Sequence, residues 1–82
     1  MQAIRTLIAD GHPIFLKGLE IVLQQIDAPN IDVIDKAQDG AQALEILQKG
    51  QTDFLIFDLN LPEIDGIELL KQIKRYKIPV HT

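Results

Sequence analysis

The sequence predicts an α/β domain built on a parallel sheet, and three observations carry that prediction. Short apolar runs alternate with stretches whose apolar residues recur at helical spacing, in the order β-α-β-α-β-α. The central run, Phe54-Leu55-Ile56-Phe57, is apolar at every position, which suits a strand covered on both faces. The first and third runs each end in an acid, Asp10 and Asp58, at the strand ends where open α/β sheets place their ligands. Alternation at this spacing implies right-handed crossovers between parallel strands.

The first strand is Ile4–Ala9, ending at Asp10. Gly11-His12-Pro13 follows, and Pro13 suits the first position of a helix, where the N–H it lacks has no intrahelical partner. Phe15, Leu19, Val22, Leu23 and Ile26 then recur at helical spacing to about Asp27, and Ala28-Pro29-Asn30 breaks the helix. Ile31–Ala37 is the second strand; its Asp32, Asp35 and Lys36 mark a sheet edge, where charge discourages pairing with other chains. Asp39-Gly40-Ala41-Gln42 is a capping-box variant, Leu44 and Leu47 supply the buried face of the second helix, and Gly50 its left-handed stop. The third strand covers 53–57. Leu59-Asn60-Leu61-Pro62 cannot continue it, because proline has no N–H to give a ladder. Asp65-Gly66-Ile67-Glu68 opens a third helix that ends before Pro79, with Ile67, Leu70 and Ile73 on one face. Pro79-Val80-His81-Thr82 is placed to enter a fourth strand.

At 82 residues the chain is one small domain, of a size that buries only roughly 60–65% of its unfolded surface. An apolar fraction of 46% is that of a globular protein. The net charge of −4 lacks the basic footprint of a nucleic-acid binder, so no direct DNA binding is expected of this segment. Four of the eight basic residues, Lys71, Lys74, Arg75 and Lys77, gather where the third helix ends, and cations there satisfy its dipole. There is no cysteine, hence no disulfide framework and no thiolate site. No apolar run approaches the roughly 18 residues of a membrane span, and no signal-peptide core opens the chain. A cytoplasmic location without membrane contact is the expectation.

Asp10 and Asp58, if their strands are neighbours, project into one crevice. Two carboxylates side by side repel and are stabilised by a hard cation, Mg²⁺ with several waters retained, and the backbone carbonyl of Asn60 is the candidate third ligand. A carboxylate beside Mg²⁺ can also act as a nucleophile and form an aspartyl phosphate. The plain alternative for Asp58 is an acid that ends a strand by forming a turn.

The chain resembles the N-terminal two-thirds of a response-regulator receiver domain, in the branch that carries a LuxR/FixJ-type DNA-binding domain downstream. The residues responsible are Leu7-Ile8-Ala9-Asp10-Gly11-His12-Pro13 with Gly18-Leu19, and Ala37-Gln38-Asp39-Gly40 with Ala43-Leu44. The most specific stretch is Asp58-Leu59-Asn60-Leu61-Pro62-Glu63-Ile64-Asp65-Gly66, and the match runs through nearly all of the chain. The resemblance implies a flavodoxin-like (CheY-like) fold with strand order 2-1-3-4-5, incomplete here at the C-terminus, and no effector domain. It implies that Asp58 accepts phosphate from a histidine kinase, that Asp10 and Asp58 bind Mg²⁺, and that Asn60 supplies the backbone ligand. No enzymatic turnover is expected.

Two departures from the family pattern stand out. Members usually carry a second acid directly after the first, and here that position is Gly11, which predicts weaker Mg²⁺ binding. The switch Ser/Thr of the fourth strand and the Lys of the fifth do not occur within the 82 residues, so the segment alone is expected to be unable to signal even if Asp58 is modified. His12 resembles a common family residue at the mouth of the site and is expected to act as a helix-start residue without a catalytic role. A vestigial or structural interaction fragment is the alternative function. A less favoured one is a Mg²⁺-dependent phosphatase of haloacid-dehalogenase type, which residues 54–60 faintly resemble; Asn60 stands where its general acid belongs. A dinucleotide-binding unit is weaker still, since no Gly-x-Gly-x-x-Gly follows the first strand. With the fourth strand at most a stub, the edge of Phe54–Phe57 is expected to lie open and to favour self-association through an edge-paired or domain-swapped dimer.

Overall fold

The structure is a computed structural model that describes residues 3–25 and 30–82. Three parallel strands, β1 (Ile4–Ala9), β2 (Ile31–Ala37) and β3 (Phe54–Phe57), form one sheet in the order β2-β1-β3. Three helices intervene and follow: α1 (Pro13–Gln24), α2 (Gly40–Leu47) and α3 (Gly66–Arg75). The element order and types match the sequence expectation. Ile26, Asp27, Ala28 and Pro29, assigned above to the end of the first helix and its breaker, lie outside the described residues.

β1 is the central strand, and its composition explains why: Thr6, Leu7, Ile8 and Ala9 are all buried. Successive side chains point to opposite faces. Leu7 and Ala9 join a core with Ala37, Ala43, Leu47, Leu55, Leu69 and Ile73, under α2 and α3. Ile8 joins Leu16 and Leu23, with Leu19, Val33 and Ile56 packed around them, under α1. The result is three layers, with α1 on one face of the sheet and α2 and α3 on the other. β2 is the charged edge, as its sequence suggests, with Asp32, Asp35 and Lys36 exposed.

The buried helix faces differ from expectation by one position in two places. In α1 the residues against the sheet are Leu16 and Leu23, while Phe15 and Val22 are 56% and 55% exposed. Of the expected residues, Leu23 is buried and Leu19 packs beside it; the apolar arc of this helix is wider than one contact face, and only the position of the sheet selects Leu16 over Phe15 and Val22. In α3, Gly66, Leu69 and Ile73 are buried and Ile67 is 51% exposed. In α2, Ala43 and Leu47 fill the core and Leu44 packs at its margin.

The helix ends follow their sequence signals. Asp39 accepts the Gln42 N–H at 2.8 Å, and Gln42 Oε1 reaches back to the Gln38 N–H at 2.9 Å, one residue before the cap. Asp65 caps α3 in the same way through the Glu68 N–H. Gly50 has φ 75°.

The outer edge of β3 is partly covered, which corrects the expectation of a wholly open edge. His81 forms a parallel bridge with Phe54: the Leu55 N–H donates to its carbonyl at 2.7 Å, and its own N–H donates to the Asp53 carbonyl at 3.0 Å. At the same end of the sheet Arg5 clamps Asp53 across β1 and β3, with guanidinium contacts at 3.0 Å. The hydrogen bond from the Arg5 side chain, helped by one from its backbone N–H, holds the Asp53 carboxyl down to about 2 and raises the Arg5 guanidinium in turn. No helix among the described residues is long and apolar enough to cross a membrane.

Candidate functional site

Register brings the two acids together. Ala9 pairs with Ala37 on one side and Phe57 on the other, so all three strands finish level. The ladder extends one step further: the Asp10 N–H donates to the Ala37 carbonyl, and the Asp58 N–H to the Ala9 carbonyl, both at 3.0 Å. Asp10 and Asp58 therefore leave the C-terminal edge of the sheet side by side, as their placement after apolar runs predicts.

Both acids are then fixed by the same local device. Asp10 Oδ1 accepts the N–H of His12 at 2.9 Å, and Asp58 Oδ1 accepts the N–H of Asn60 at 3.1 Å. Each is an Asx turn, a carboxylate bonding the backbone two residues on. Among the described residues no donor reaches the second oxygen of either acid. One oxygen of each carboxylate thus holds its own loop. Asp10 is only 7% exposed, while Asp58 is half-buried.

His12 is the residue whose place the sequence undersold. It is the N-cap of α1, as expected, yet its side chain makes no capping bond. Its Nδ1 lies instead 2.7 Å from Asp10 Oδ1. Pro13 disfavours helical backbone at the preceding residue, and His12 is extended at φ −116°, ψ 100°. One donor atom each from Asp10, His12 and Asp58 lies within 4.8 Å of the others. The available signal was the spacing Asp10-x-His12 in a turn closed by proline.

The loop after β3 owes its path to two glycines and a buried leucine. Leu61 is 4% exposed, in the core under α2 and α3. The Gly40 N–H donates to the Pro62 carbonyl at 3.0 Å, and the Gly66 N–H to the Leu59 carbonyl at 2.9 Å. A Cβ on Gly40 would overlap the Ile64 carbonyl, and one on Gly66 would lie 2.6 Å from Leu59 Cα. Glu63 takes a left-handed conformation (φ 67°) within this loop. Pro62 in turn stands over Gly11, where a Cβ would come within 3.0 Å of its Cδ. Beside the acids, Ala9, Phe15, Leu19, Ile56 and Phe57 line a hollow of about 440 Å³.

A family model described as the response regulator receiver domain matches residues 6–82. The chain belongs to the response regulator receiver domain family. The Fimbriae Z protein of Salmonella typhimurium is 38% identical to this receiver chain over 82 residues, which are 100% of the chain and 37% of that protein. The signal receiver domain of the response regulator NarL from Mycobacterium tuberculosis superposes with a TM-score of 0.86 at 26% identity, over 98% of this chain and 63% of that one. The isolated receiver domain of RcsB from Salmonella enterica serovar Typhimurium, solved in the presence of the phosphomimetic BeF₃⁻, superposes with a TM-score of 0.82 at 34% identity. The overlap there is 96% of this chain and 58% of that one. These neighbours lie in the LuxR/FixJ branch expected from the motifs. The receiver chain spans 37% of the length of such curated relatives as the NarL and Fimbriae Z proteins.

Receiver domains bind Mg²⁺ in an acidic pocket, and the residues here fit a divalent cation: two carboxylates side by side, with an imidazole nitrogen beside them. Asn60 is brought to Asp58 through its N–H, next to the carbonyl assigned to the metal from sequence. The Arg5–Asp53 pair, at the other end of the strands, takes no part.

Proposed function

We propose that the chain is the phosphoacceptor module of a two-component response regulator, phosphorylated on Asp58 by a histidine kinase with Mg²⁺ held by Asp10, Asp58 and the carbonyl of Asn60. The observation that carries this reading is the Asp58 carboxylate itself. It stands at the tip of β3 beside Asp10 and lines a hollow open to a donor; one oxygen is held by the Asn60 N–H, and among the described residues no donor reaches the other.

The chemistry follows from that arrangement. The free Asp58 oxygen attacks the phosphorus of a phosphohistidine; the new P–O bond forms as the P–N bond breaks, and the imidazole of the kinase leaves with the electron pair. The Asn60 N–H keeps the carboxylate turned toward the donor and accommodates charge on the oxygen that does not react. Asp10 and His12 fix the second wall. A bound cation supplies charge neutralisation at the phosphoryl oxygens. Residues 1–82 act as a single receiver unit with no effector domain among them. They have no turnover of their own and no direct contact with DNA, and they work in the cytoplasm as part of a transcription regulator. The remaining free edge of β3, at Ile56–Phe57, and the exposed apolar wall of the hollow favour self-association through edge pairing or exchange of the C-terminal segment.

Incubation with acetyl phosphate or phosphoramidate and Mg²⁺, followed by intact mass, tests the assignment. One phosphate should be added, and Asp58→Asn should abolish it. Persistence of the adduct in Asp58→Asn sinks the assignment. The interaction-fragment alternative predicts no adduct at all.

A further inference from the structure

We propose that His12 is itself a ligand of the divalent cation at this site, and that its imidazole turns the preference of the site from Mg²⁺ toward first-row transition ions with nitrogen affinity, of the Co²⁺ and Zn²⁺ kind. The proposal deepens the metal role given above and does not depend on Asp58 accepting phosphate.

The spacing of the donor atoms is the first argument. Bonds of about 2.0–2.2 Å to a common ion set neighbouring donors roughly 3 Å apart and opposite donors roughly 4 Å apart. One donor atom each from Asp10, His12 and Asp58 lies within 4.8 Å of the others, and the His12 ring already rests against Asp10 through a 2.7 Å Nδ1 to Oδ1 hydrogen bond that ligation would replace. The three atoms span a single ion after small side-chain rotations.

The second argument concerns what is missing. Position 11 offers no side chain, and Pro62 lies close enough to crowd even a Cβ there, so the next residue after Asp10 adds no oxygen. The third side-chain donor is therefore a nitrogen. Mg²⁺ takes oxygen ligands, keeps much of its water and gains little from imidazole. Ions later in the first transition row bind imidazole well, and their affinity for mixed nitrogen–oxygen sets rises toward Cu²⁺.

The third argument is the availability of the ring. The N-cap backbone is already fixed by the His12 N–H to Asp10 bond and by Pro13, so little chain entropy remains to be lost on ligation. The side chain is 78% exposed and caps nothing, so neither the core nor the helix requires it, and its hydrogen bond is to Asp10, a residue of the same site. The chain has two histidines, and the other, His81, bridges Phe54 at the far end of β3. It provides an internal control.

The test is direct metal binding, by calorimetry with Mg²⁺ and Zn²⁺ and by the visible absorption of Co²⁺, whose bands respond to nitrogen ligation. It uses the protein, His12→Ala, His81→Ala and Asp58→Asn. His12→Ala should weaken Zn²⁺ and Co²⁺ binding by about tenfold or more and shift the Co²⁺ bands, while leaving Mg²⁺ binding within about twofold. His81→Ala should change neither ion. Unchanged Zn²⁺ affinity in His12→Ala, or loss of Zn²⁺ binding in His81→Ala, overturns the proposal. Phosphate uptake is not read, so either result leaves Asp58 as phosphoacceptor standing. Failure of Asp58→Asn to weaken any ion overturns the shared metal site. Because the His12 side chain is largely exposed, an unchanged thermal midpoint in His12→Ala is expected and separates lost ligation from lost fold.

Discussion

Replacing Gly40 with alanine drives a methyl group into the backbone of the loop that carries Asp58. The new carbon would overlap the Ile64 carbonyl oxygen and sit 2.6 Å from its carbon and 2.7 Å from Ile64 Cβ. The methyl group, at the start of α2, meets the main chain of Ile64, so rotamer changes cannot relieve the contact, and the two segments must part by more than an ångström. Overpacking of that kind costs roughly 1–3 kcal/mol. Parting the segments also strains the Gly40 N–H to Pro62 bond, worth about 1 kcal/mol. The gain in helix propensity from glycine to alanine, about 0.5–1 kcal/mol, opposes both. A net loss of roughly 1–3 kcal/mol should lower the urea midpoint by on the order of 1 M. The displaced loop should also slow phosphate uptake at Asp58. Gly18→Ala is the control, since nothing lies within 4 Å of a Cβ there in mid-helix, and it should raise stability by about 0.5–1 kcal/mol. A Gly40→Ala midpoint equal to or above that of the parent, with Gly18→Ala behaving as described, would refute the close approach of the loop to α2.

Three further perturbations bear on separate features. Gly11→Asp should tighten Mg²⁺ binding relative to Gly11→Ala in a calorimetric titration, because both variants press on Pro62 and only one adds a charge; equal affinity would mean that position 11 does not face the ion. Lys77, left-handed at φ 53° just past α3, should gain roughly 1 kcal/mol as Lys77→Gly, read as a higher thermal midpoint. The Asp53 carboxyl is held down to about 2, so its contribution to stability is present above the ordinary carboxylate range near 4 and is lost as pH falls from about 4 toward 2. Asp53→Asn should therefore flatten the acid limb of the stability curve in that window. The pair is exposed, so the difference should be small and should shrink with added salt, and a wild-type acid limb retained in the variant would exclude it.

Much of the fold was legible because its strands are short apolar runs closed by turn-forming residues. Ile4–Ala9 and Ile31–Ala37 match residue for residue, and the third strand differs by one at its start. Helix faces were less legible. Leu16 and Leu69 are nearly or fully buried, yet Phe15 and Ile67 fit the same periodicity and are exposed, because the choice among adjacent stripes belongs to the packing partner and not to the helix. Asp10 and Asp58 were legible as strand-end acids. The part of His12 was not, since it depends on a turn folding the imidazole back onto Asp10, two residues earlier. The crowding of Gly11 by Pro62 was hidden for a similar reason: these residues are far apart in sequence and meet only when two loops cross.

The level finish of the three strands has a consequence for what variation the molecule can tolerate. Nothing attracts Asp10 to Asp58; their separation is gauged by the ladder that pairs Thr6 with Phe54 and Ala9 with Phe57. A slip of one residue between β1 and β3 would carry Asp58 about 3.3 Å along the sheet and turn its side chain to the opposite face. The same slip would trade Leu55, from under α2 and α3, for Ile56, from beside α1. The apolar core thus acts as the alignment jig for the acids. A single-residue insertion anywhere in β3 should silence the site before any functional side chain is altered, whereas one in the exposed turn before β3 should leave it intact.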